Sequence, residues 1–433
     1  MKKISEQLVC LFAVSVLIVS ASSVCPQKRE IESPAINKLK IEIESGNTSA
    51  VADFWRGIQF SGTPMSEVIP NDSTNKLVTF IFQDASAKRV RLDSNINLLL
   101  ADGLISDFSA LGNMHHVSQT DLWFLSFRLP KDTRVPYHFQ VWSDSTTEPQ
   151  KKLDPFNKKI LWEGSRFSES ILELSDAEPQ LWVEEREAVK KGEWKELKIQ
   201  SKALKSEQTV WVYTPADYIS TRKEPYDVLI GLDIISFKFG LSADRILDNL
   251  TASGIINATV LIAANIGSEE SEASGLWPTA DFISKEVLPE VRKQFNITKN
   301  PKRTIVAGTS KRGLAASYIG LTKPEVAENV LALSAAYYWK PPTHPEYEWL
   351  GKLFAEKEKV STKFYLAVGE FETAVNSRNA GHYMLAANRH MRNILSAKNY
   401  EFKYEEFAGV HHELNWRGQL AKGLIYLVGK KKP

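Results

Sequence analysis

The alternation of apolar strands and amphipathic helices after Trp194 is the feature that most restricts the fold of this chain. Short runs rich in Val, Ile, Leu and Ala are separated by longer segments in which apolar residues recur at helical spacing. This pattern is typical of a mainly parallel sheet with helices on both faces. We predict strands at 196–203, 209–214, 227–232, 258–264, 304–307, 330–333, 363–368 and 402–407, and helices at 280–295, 311–321, 378–398 and 415–428.

The first half of the chain has a different periodicity. Apolar residues alternate with period two at 78–82, 122–127 and 137–142, and many of them are aromatic or β-branched. This pattern predicts an antiparallel, immunoglobulin-like β-sandwich. The polar segment 146–191 is interpreted as a connection. We therefore predict two domains, an all-β domain with its linker at 30–185 and an α/β domain at 190–433.

Length and charge limit the class of partner. A chain of 433 residues is long enough for two or three domains. Its 54 basic and 52 acidic residues nearly balance, so it has no positive field for nucleic acid. No zinc-type ligand spacing is visible, and we predict neither a metal nor a cofactor. The expected partner is a small molecule.

The first 23 residues have the layout of a secretory signal peptide. Lys2 and Lys3 precede the apolar run 8–21, which is followed by small residues. The sequence thus predicts a periplasmic or secreted protein without a transmembrane span in the mature chain. Cys25 offers lipid attachment as an alternative, although valine precedes it, where such a motif has a small residue.

The segment Val306–Leu314 has the outline of a nucleophile elbow, in which a sharp strand-to-helix turn exposes a serine. Ser310 would be the nucleophile, with glycine two residues before it. The position two residues after it, where a small residue is expected, is Arg312, and glycine returns only at Gly313. A turn with a simple helix cap is the alternative interpretation.

A serine nucleophile needs an imidazole base and a carboxylate that orients it. His411 follows the last predicted strand, where an α/β-hydrolase has its histidine. For the acid, the strand 363–368 is followed by Glu370 and Glu372, of which we favour Glu372. The three predicted catalytic residues are therefore Ser310, His411 and Glu372.

The flanking residues supply the predicted binding groups. The backbone N–H groups of Lys311 and Ile234 are the expected oxyanion donors, the first next to the nucleophile and the second in the loop after an earlier strand. The predicted substrate contacts are Arg312, Asp233, His412 and Trp416.

Several motifs together resemble the enterochelin esterase branch of the esterase D-like α/β-hydrolases. In the second half these are Trp211–Pro215, Val287–Arg292, Ala307–Leu314 and Gly409–His411 with Trp416 and Arg417. In the first half they are Phe54-Trp55, Gly62–Pro64, Val78–Phe80, Asp121–Trp123, Arg134 with Tyr137, and Asp154-Pro155 with Asn157. The resemblance implies a serine esterase that cleaves a catecholate trilactone siderophore, in ferric or iron-free form, through an acyl-enzyme.

The chain departs from the family pattern at Arg312, at Val410 and His412 beside the base, and at 270–275. Two alternatives therefore stay open. One is an esterase for another acyl, phenolic or carbohydrate-linked ester. The other is a catalytically impaired binding protein that uses Lys311 and Arg312 to hold an anionic ligand.

Overall fold

The computed structural model describes residues 32–100, 104–105, 111–144, 148–265, 276–373, 375–376 and 383–430. The predicted signal peptide 1–23, Cys25, the segment 270–275 and residues 378–382 of one predicted helix lie outside the described residues.

Two helices that the sequence pattern did not predict precede the sandwich, α1 (Pro34–Glu44) and α2 (Ala50–Ser61). Ser33 caps α1, and its hydroxyl accepts a hydrogen bond from the backbone N–H of Ile36. The buried residues of both helices pack against Ile81 and Phe124 on the outer face of the first sheet. The helices thus cover a sheet face that would otherwise expose apolar side chains.

The described part of the N-terminal half continues with ten strands: β1 (Met65–Val68), β2 (Asn75–Gln83), β3 (Arg89–Asp93), β4 (Leu104–Ile105), β5 (His115–His116), β6 (Leu122–Pro130), β7 (Arg134–Trp142), β8 (Gln150–Lys152), β9 (Ile160–Leu161) and β10 (Glu169–Glu173). One sheet has the order β1-β2-β6-β5, and the other β3-β7-β10-β9 with β8 beside β7. All these pairings are antiparallel. Phe80, Phe127, Tyr137 and Phe139 are buried in the core that the two sheets share, as predicted for a sandwich.

The interpretation of 146–191 as a connection was wrong for its first part. Strands β8, β9 and β10 lie within it, and β10 pairs with β7 in the second sheet. These strands are only two to five residues long, so their alternation is too brief to recognise in the sequence. The segment 174–192, which has neither helix nor strand, joins the two domains.

An eight-stranded sheet forms the C-terminal domain. Its strands are β11 (Glu193–Ser201), β12 (Ser206–Thr214), β13 (Asp227–Gly231), β14 (Thr259–Ala264), β15 (Thr304–Thr309), β16 (Asn329–Leu333), β17 (Lys363–Gly369) and β19 (Glu401–Phe407), in the order β11-β12-β14-β13-β15-β16-β17-β19. A short strand β18 (Val375–Asn376) pairs with β4 instead. Strand β12 is antiparallel to both of its neighbours, and the remaining pairings are parallel.

Among the described residues of this domain, seven α-helices cover the two faces of the sheet: α3 (Ala243–Ala252), α4 (Trp277–Asp281), α5 (Leu288–Gln294), α6 (Ser310–Thr322), α7 (Trp349–Glu356), α8 (Met384–Ala397) and α9 (Glu413–Val428). Short π-helical turns occur at Ser236–Gly240 and Phe282–Val287. Helices α3 and α9 pack on one face, and α4 to α8 pack on the other. This is the predicted α/β-hydrolase architecture. None of the described helices has the length and apolarity that a bilayer span requires.

The two domains share apolar packing. Phe371, Ala408 and Val410, from the loops that follow β17 and β19, belong to the buried core of the sandwich. The backbone N–H of Arg134 in β7 donates to the carbonyl of Ala408 at 3.1 Å. The loops that carry the predicted acid and base are therefore packed directly against the N-terminal domain.

Candidate active site

Ser310 lies at a sharp turn between β15 and α6. Its φ of 53° is in the left-handed region, which residues other than glycine seldom occupy. A Cβ on Gly308 would lie 2.3 Å from the backbone carbonyl of Arg312, and one on Gly313 would lie 2.9 Å from the Cβ of Ala335. Glycine is therefore needed at 308, where the helix crosses its own strand, and at 313, where Ala335 of the loop after β16 lies close to the helix. This is the geometry of a nucleophile elbow, with the second small residue one position later than the usual pattern.

Arg312 points away from this crossing and toward the loop after β13. Its Nε lies 3.3 Å from Oδ2 of Asp233, and both side chains are partly exposed. The elbow tolerates arginine because only the backbone at this position presses on Gly308. Two of the predicted substrate contacts, Arg312 and Asp233, are thus brought together as an ion pair.

The structure joins His411 to Glu372. Nδ1 of His411 lies 2.6 Å from Oε2 of Glu372, whose side chain is buried. The other carboxylate oxygen, Oε1, accepts hydrogen bonds from the hydroxyl of Ser334 at 2.6 Å and from the backbone N–H of Gly369 at 2.8 Å. A carboxylate held by three donors is fixed in position and can orient the imidazole.

Glu370, the alternative acid, has a different environment. Its backbone N–H donates to the carbonyl of Phe407, and its exposed side chain faces the charges of Asp132 and Glu406. Partial desolvation of the carboxylate, together with these two negative charges, raises the pKa of Glu370 although the side chain keeps contact with solvent. The turn after β17 separates the two glutamates, because Glu372 turns back to the N–H of Gly369.

The loop after β16 connects the elbow to the acid. The backbone N–H of Ala336 donates to the carbonyl of Ser310 at 3.0 Å, while Ser334 contacts Glu372. Ser310 follows β15, Glu372 follows β17 and His411 follows β19, at the carboxyl ends of parallel strands. The three predicted catalytic residues therefore lie on loops at the same edge of the sheet.

Trp416 lies behind the imidazole rather than in a cleft. The indole is 4% exposed, its N–H donates to the hydroxyl of Ser334 at 2.8 Å, and its ring meets that of His411 edge to face at 4.7 Å. Trp416 thus has almost no exposed surface in this structure, and its contact with substrate stays a prediction. It supports the base and the residue that holds the acid.

His412 has a structural partner in each direction. Its Nδ1 accepts the backbone N–H of Leu414 at 3.1 Å, so it caps α9. Its Nε2 lies 3.0 Å from Oε2 of Glu169 in β10. Both ring nitrogens are thus engaged, which places this predicted substrate contact in the interface between the domains.

The two predicted oxyanion donors differ in their surroundings. Lys311 is the second residue of α6, where backbone N–H groups point out of the helix N-terminus. The N–H of Ile234 instead donates to Oδ1 of Asn265 at 3.1 Å. Asn265 directly follows β14 and is exposed. Ile234 can serve an oxyanion only when this side chain moves away.

Three residues near the site were missed by sequence reasoning: Ser334, Asn265 and Tyr338. Burial, together with the charge of Glu372, raises the pKa of Tyr338, so its hydroxyl stays protonated at neutral pH. The available signal was position, since Ser334 and Asn265 each directly follow a buried strand of the sheet. Their residue types alone are too common in loops to identify them.

The described site has hydrolytic groups and no metal centre. Within the ranges that the structure describes, no three His, Cys, Asp or Glu side chains are grouped so as to hold a metal ion. A strained serine at a helix N-terminus and a carboxylate-bound imidazole are the components of nucleophilic acyl transfer.

Comparison with known families gives matches to both domains, in the order that the resemblance predicted. Residues 201–427 match the family described as "Putative esterase", and residues 77–183 match "Enterochelin esterase, N-terminal". The iron(III) enterobactin esterase of Dickeya dadantii is 24% identical over 88% of this chain and 93% of its own length. The corresponding esterase of Escherichia coli K12 is 29% identical over 64% of this chain and 68% of its own length.

Solved structures share the two-domain fold. The ferric enterobactin esterase of Salmonella typhimurium matches with a TM-score of 0.68 at 22% identity, over 87% of this chain and 98% of its own. The enterobactin esterase of Shigella flexneri, crystallised in the presence of enterobactin, matches with a TM-score of 0.66 at 23% identity, over 87% and 97%. At these identities the likeness establishes the fold.

Proposed function

Since this chain belongs to the putative esterase family and carries an N-terminal domain of the enterochelin esterase type, we propose that it cleaves the ester bonds of a catecholate trilactone siderophore. Membership makes it a carboxylic ester hydrolase. The siderophore class is supported by relatives named iron(III) enterobactin esterase and iron(III) salmochelin esterase, the second of which is 23% identical over 91% of this chain. Cleavage of the trilactone would release its iron.

In the proposed reaction, Ser310 Oγ attacks the ester carbonyl while Nε2 of His411 takes its proton. Glu372, bound to Nδ1, stabilises the imidazolium that forms. The imidazolium then protonates the ester oxygen as its bond to the carbonyl carbon breaks, so that this oxygen leaves as a hydroxyl group and an acyl-enzyme stays on Ser310. Water, deprotonated by His411, attacks this ester; the bond to Ser310 Oγ breaks, His411 returns the proton to Oγ, and the carboxylic acid product is released.

The oxyanion of each tetrahedral intermediate needs two donors. The N–H of Lys311 at the start of α6 is one. The N–H of Ile234 becomes the second once Asn265 releases it. Arg312, held at the cleft by Asp233, is the proposed contact for the anionic catecholate rings.

The observation that carries this proposal is the 2.6 Å contact between His411 and Glu372, on loops that follow different strands. The imidazole and the carboxylate are 39 positions apart in the sequence, so the tertiary fold is needed to bring them into contact. A packed loop histidine would not require a buried carboxylate with three donors.

A fluorophosphonate probe tests the mechanism. We expect the wild type to be labelled and Ser310→Ala to be unlabelled, because the probe reacts only with an activated serine. Ser317→Ala is the matched control, since Ser317 lies on the same helix but is buried and bonded to Gly313 and Tyr337. An unlabelled wild type would favour the binding-protein alternative.

Substrate choice is tested by hydrolysis of enterobactin, with and without iron, beside simple aryl, acetyl and feruloyl esters. We expect kcat/KM to be highest for the trilactone. A preference for a feruloyl or carbohydrate ester would keep the mechanism and replace the substrate.

We also propose export to the periplasm or the medium, from the layout of residues 1–23. Cell fractionation and N-terminal sequencing of the mature protein test this. A full-length cytoplasmic product would refute export, and a lipid on Cys25 would change only the mode of anchoring.

A further inference from the structure

The turn that carries the proposed base is held from both domains. His411 reaches Glu372 of the C-terminal domain, whereas the next residue, His412, reaches Glu169 of the sandwich. Asn95 of the sandwich adds a contact between its Nδ2 and the carbonyl of His411 at 3.4 Å. The side chains of these two successive histidines thus contact different domains.

The polar contacts of the two rings favour opposite tautomers. Nδ1 of His411 faces a carboxylate, so it carries the proton and leaves Nε2 free to accept one from the nucleophile. Nδ1 of His412 accepts the N–H of Leu414, so the neutral ring carries its proton on Nε2, which faces Glu169. His412 therefore caps the helix through Nδ1 and contacts Glu169 through Nε2.

Glu169 is an ionised carboxylate inside the interface. Its side chain is 16% exposed and lies between His412 and His138, whose Nδ1 is 3.6 Å from Oε1. Burial alone would raise the pKa of Glu169, but the nearby imidazoles of His138 and His412, through their polar contacts and their positive charge when protonated, lower the pKa to about 2. The carboxylate of Glu169 can thus accept a hydrogen bond at every pH at which an imidazole can act as a base.

The other charged groups around this carboxylate keep His138 in place. His138 Nε2 lies 3.2 Å from Asp93, which Arg91 approaches at 3.5 Å. The charge of Lys151 also acts on His138, and Glu413 lies 3.9 Å from His412. These groups come from β3, β7, β8 and α9, which surround Glu169 on β10.

We propose that Glu169 is a positioning residue for the esterase reaction, acting through His412 to hold His411 at the distance from Glu372 that catalysis needs. The inference rests on the proposed serine mechanism. It makes the sandwich domain a part of the catalytic apparatus, since this domain supplies the carboxylate that fixes the turn. Misplacement of a catalytic group by about 1 Å lowers a rate by up to about a hundredfold.

Three variants test this, measured as kcat and KM on an aryl ester over a range of pH. Glu169→Ala removes the acceptor, and Glu169→Gln retains an oxygen for His412. His412→Asn keeps a favoured helix cap but is too short to reach Glu169. Glu67→Gln is the matched control, because this sandwich carboxylate binds Ser33 and Ala35 of the first helix, outside the contacts described for His411.

We expect kcat to fall about tenfold in Glu169→Ala and His412→Asn, with KM unchanged, and to recover partly in Glu169→Gln. The double variant Glu169→Ala/His412→Asn should be no slower than either single one. The acid limb of kcat should move to lower pH, because a weaker bond to Glu372 stabilises the imidazolium less. A smaller folded fraction alone would lower kcat by the same factor at every pH and would leave the acid limb where it is.

Wild-type kcat and an unmoved acid limb in both Glu169→Gln and His412→Asn would overturn the proposal, even if Glu169→Ala fails to fold. Additive effects in the double variant would also overturn it. Fluorophosphonate labelling of Ser310 in the wild type distinguishes failure of this proposal from failure of the serine mechanism. An unlabelled wild type would exclude both the serine mechanism and the positioning role of Glu169.

Discussion

At the residue scale, Ser334 determines how the acid is held. It is fully buried, its φ of 44° is left-handed, and its hydroxyl links Trp416 to Glu372. A hydroxyl is suited to this place because it can accept one hydrogen bond and donate another. The left-handed backbone at Ser334 is strained, and it directs the hydroxyl toward the carboxylate of Glu372.

Ser334→Ala should therefore reduce both stability and activity. Loss of the hydroxyl leaves the buried indole N–H of Trp416 unpaired, which costs about 1–3 kcal/mol of unfolding free energy. We expect kcat to fall at least tenfold, because Glu372 loses one of its donors. Urea unfolding and steady-state kinetics measure the two effects. Ser170→Ala, in the sandwich, should lower stability only.

Arg312 should affect substrate binding more than folding. Its ion pair with Asp233 is partly exposed, and such pairs contribute about 0–1 kcal/mol. We expect Arg312→Ala to keep its melting temperature and kcat but to raise KM several-fold for the anionic trilactone and not for a neutral aryl ester. Arg389→Ala, which breaks the ion pair with Glu406, is the control. Equal KM values for both esters would exclude the proposed contact.

At the element scale, the elbow depends on close approach of strand and helix. In Gly308→Ala the new methyl group would lie 2.3 Å from the backbone of Arg312, and a backbone clash cannot be relieved by a rotamer change. We expect several-fold less folded protein and loss of fluorophosphonate labelling. Gly57→Ala, in helix α2 with nothing near the added Cβ, should gain about 0.5–1 kcal/mol. Normal labelling of Gly308→Ala would contradict so close a crossing of strand and helix.

Helix α3 contributes a pH-dependent link to strand β12. The hydroxyl of Tyr213 donates to Asp248 at 2.5 Å, and burial raises the pKa of Asp248 to about 6. Between the ordinary aspartate pKa of 3.8 and about 6, the folded state binds a proton that the unfolded state releases, so unfolding free energy falls as pH rises. Denaturant titrations should show this loss in the wild type but not in Asp248→Asn. A loss of equal size in Asp248→Asn would refute the assignment.

At the scale of the whole molecule, the domain interface contains a carboxylate, Glu169, whose contribution to unfolding free energy changes with pH in the opposite direction to that of Asp248. The pKa of Glu169 is lowered to about 2, so its contribution to stability is complete above the ordinary glutamate pKa of 4.5 and is lost as pH falls toward 2. We expect the wild type to lose more unfolding free energy than Glu169→Gln over this interval, as followed by circular dichroism. Parallel curves for the two proteins would show that the carboxylate is not held in the interface.

The sequence determined the eight main strands of the C-terminal domain, several of its helices and the residues on which chemistry is proposed, but the list of predicted helices lacked α3 and α7. Periodicity and apolar runs carry that information locally, and glycine two residues before Ser310 marks the elbow. The sequence could not separate Glu370 from Glu372, since two glutamates in one turn have the same local signal.

Only the tertiary structure decided which groups meet. It turned Glu372 toward His411, buried Trp416 behind the imidazole, and gave the N–H of Ile234 to Asn265. It also placed Glu169 against His412, across 243 positions of chain (412 minus 169). Contacts of this kind depend on sheet order and on the docking of two domains, and side-chain partners at such separations leave no periodic pattern in one sequence.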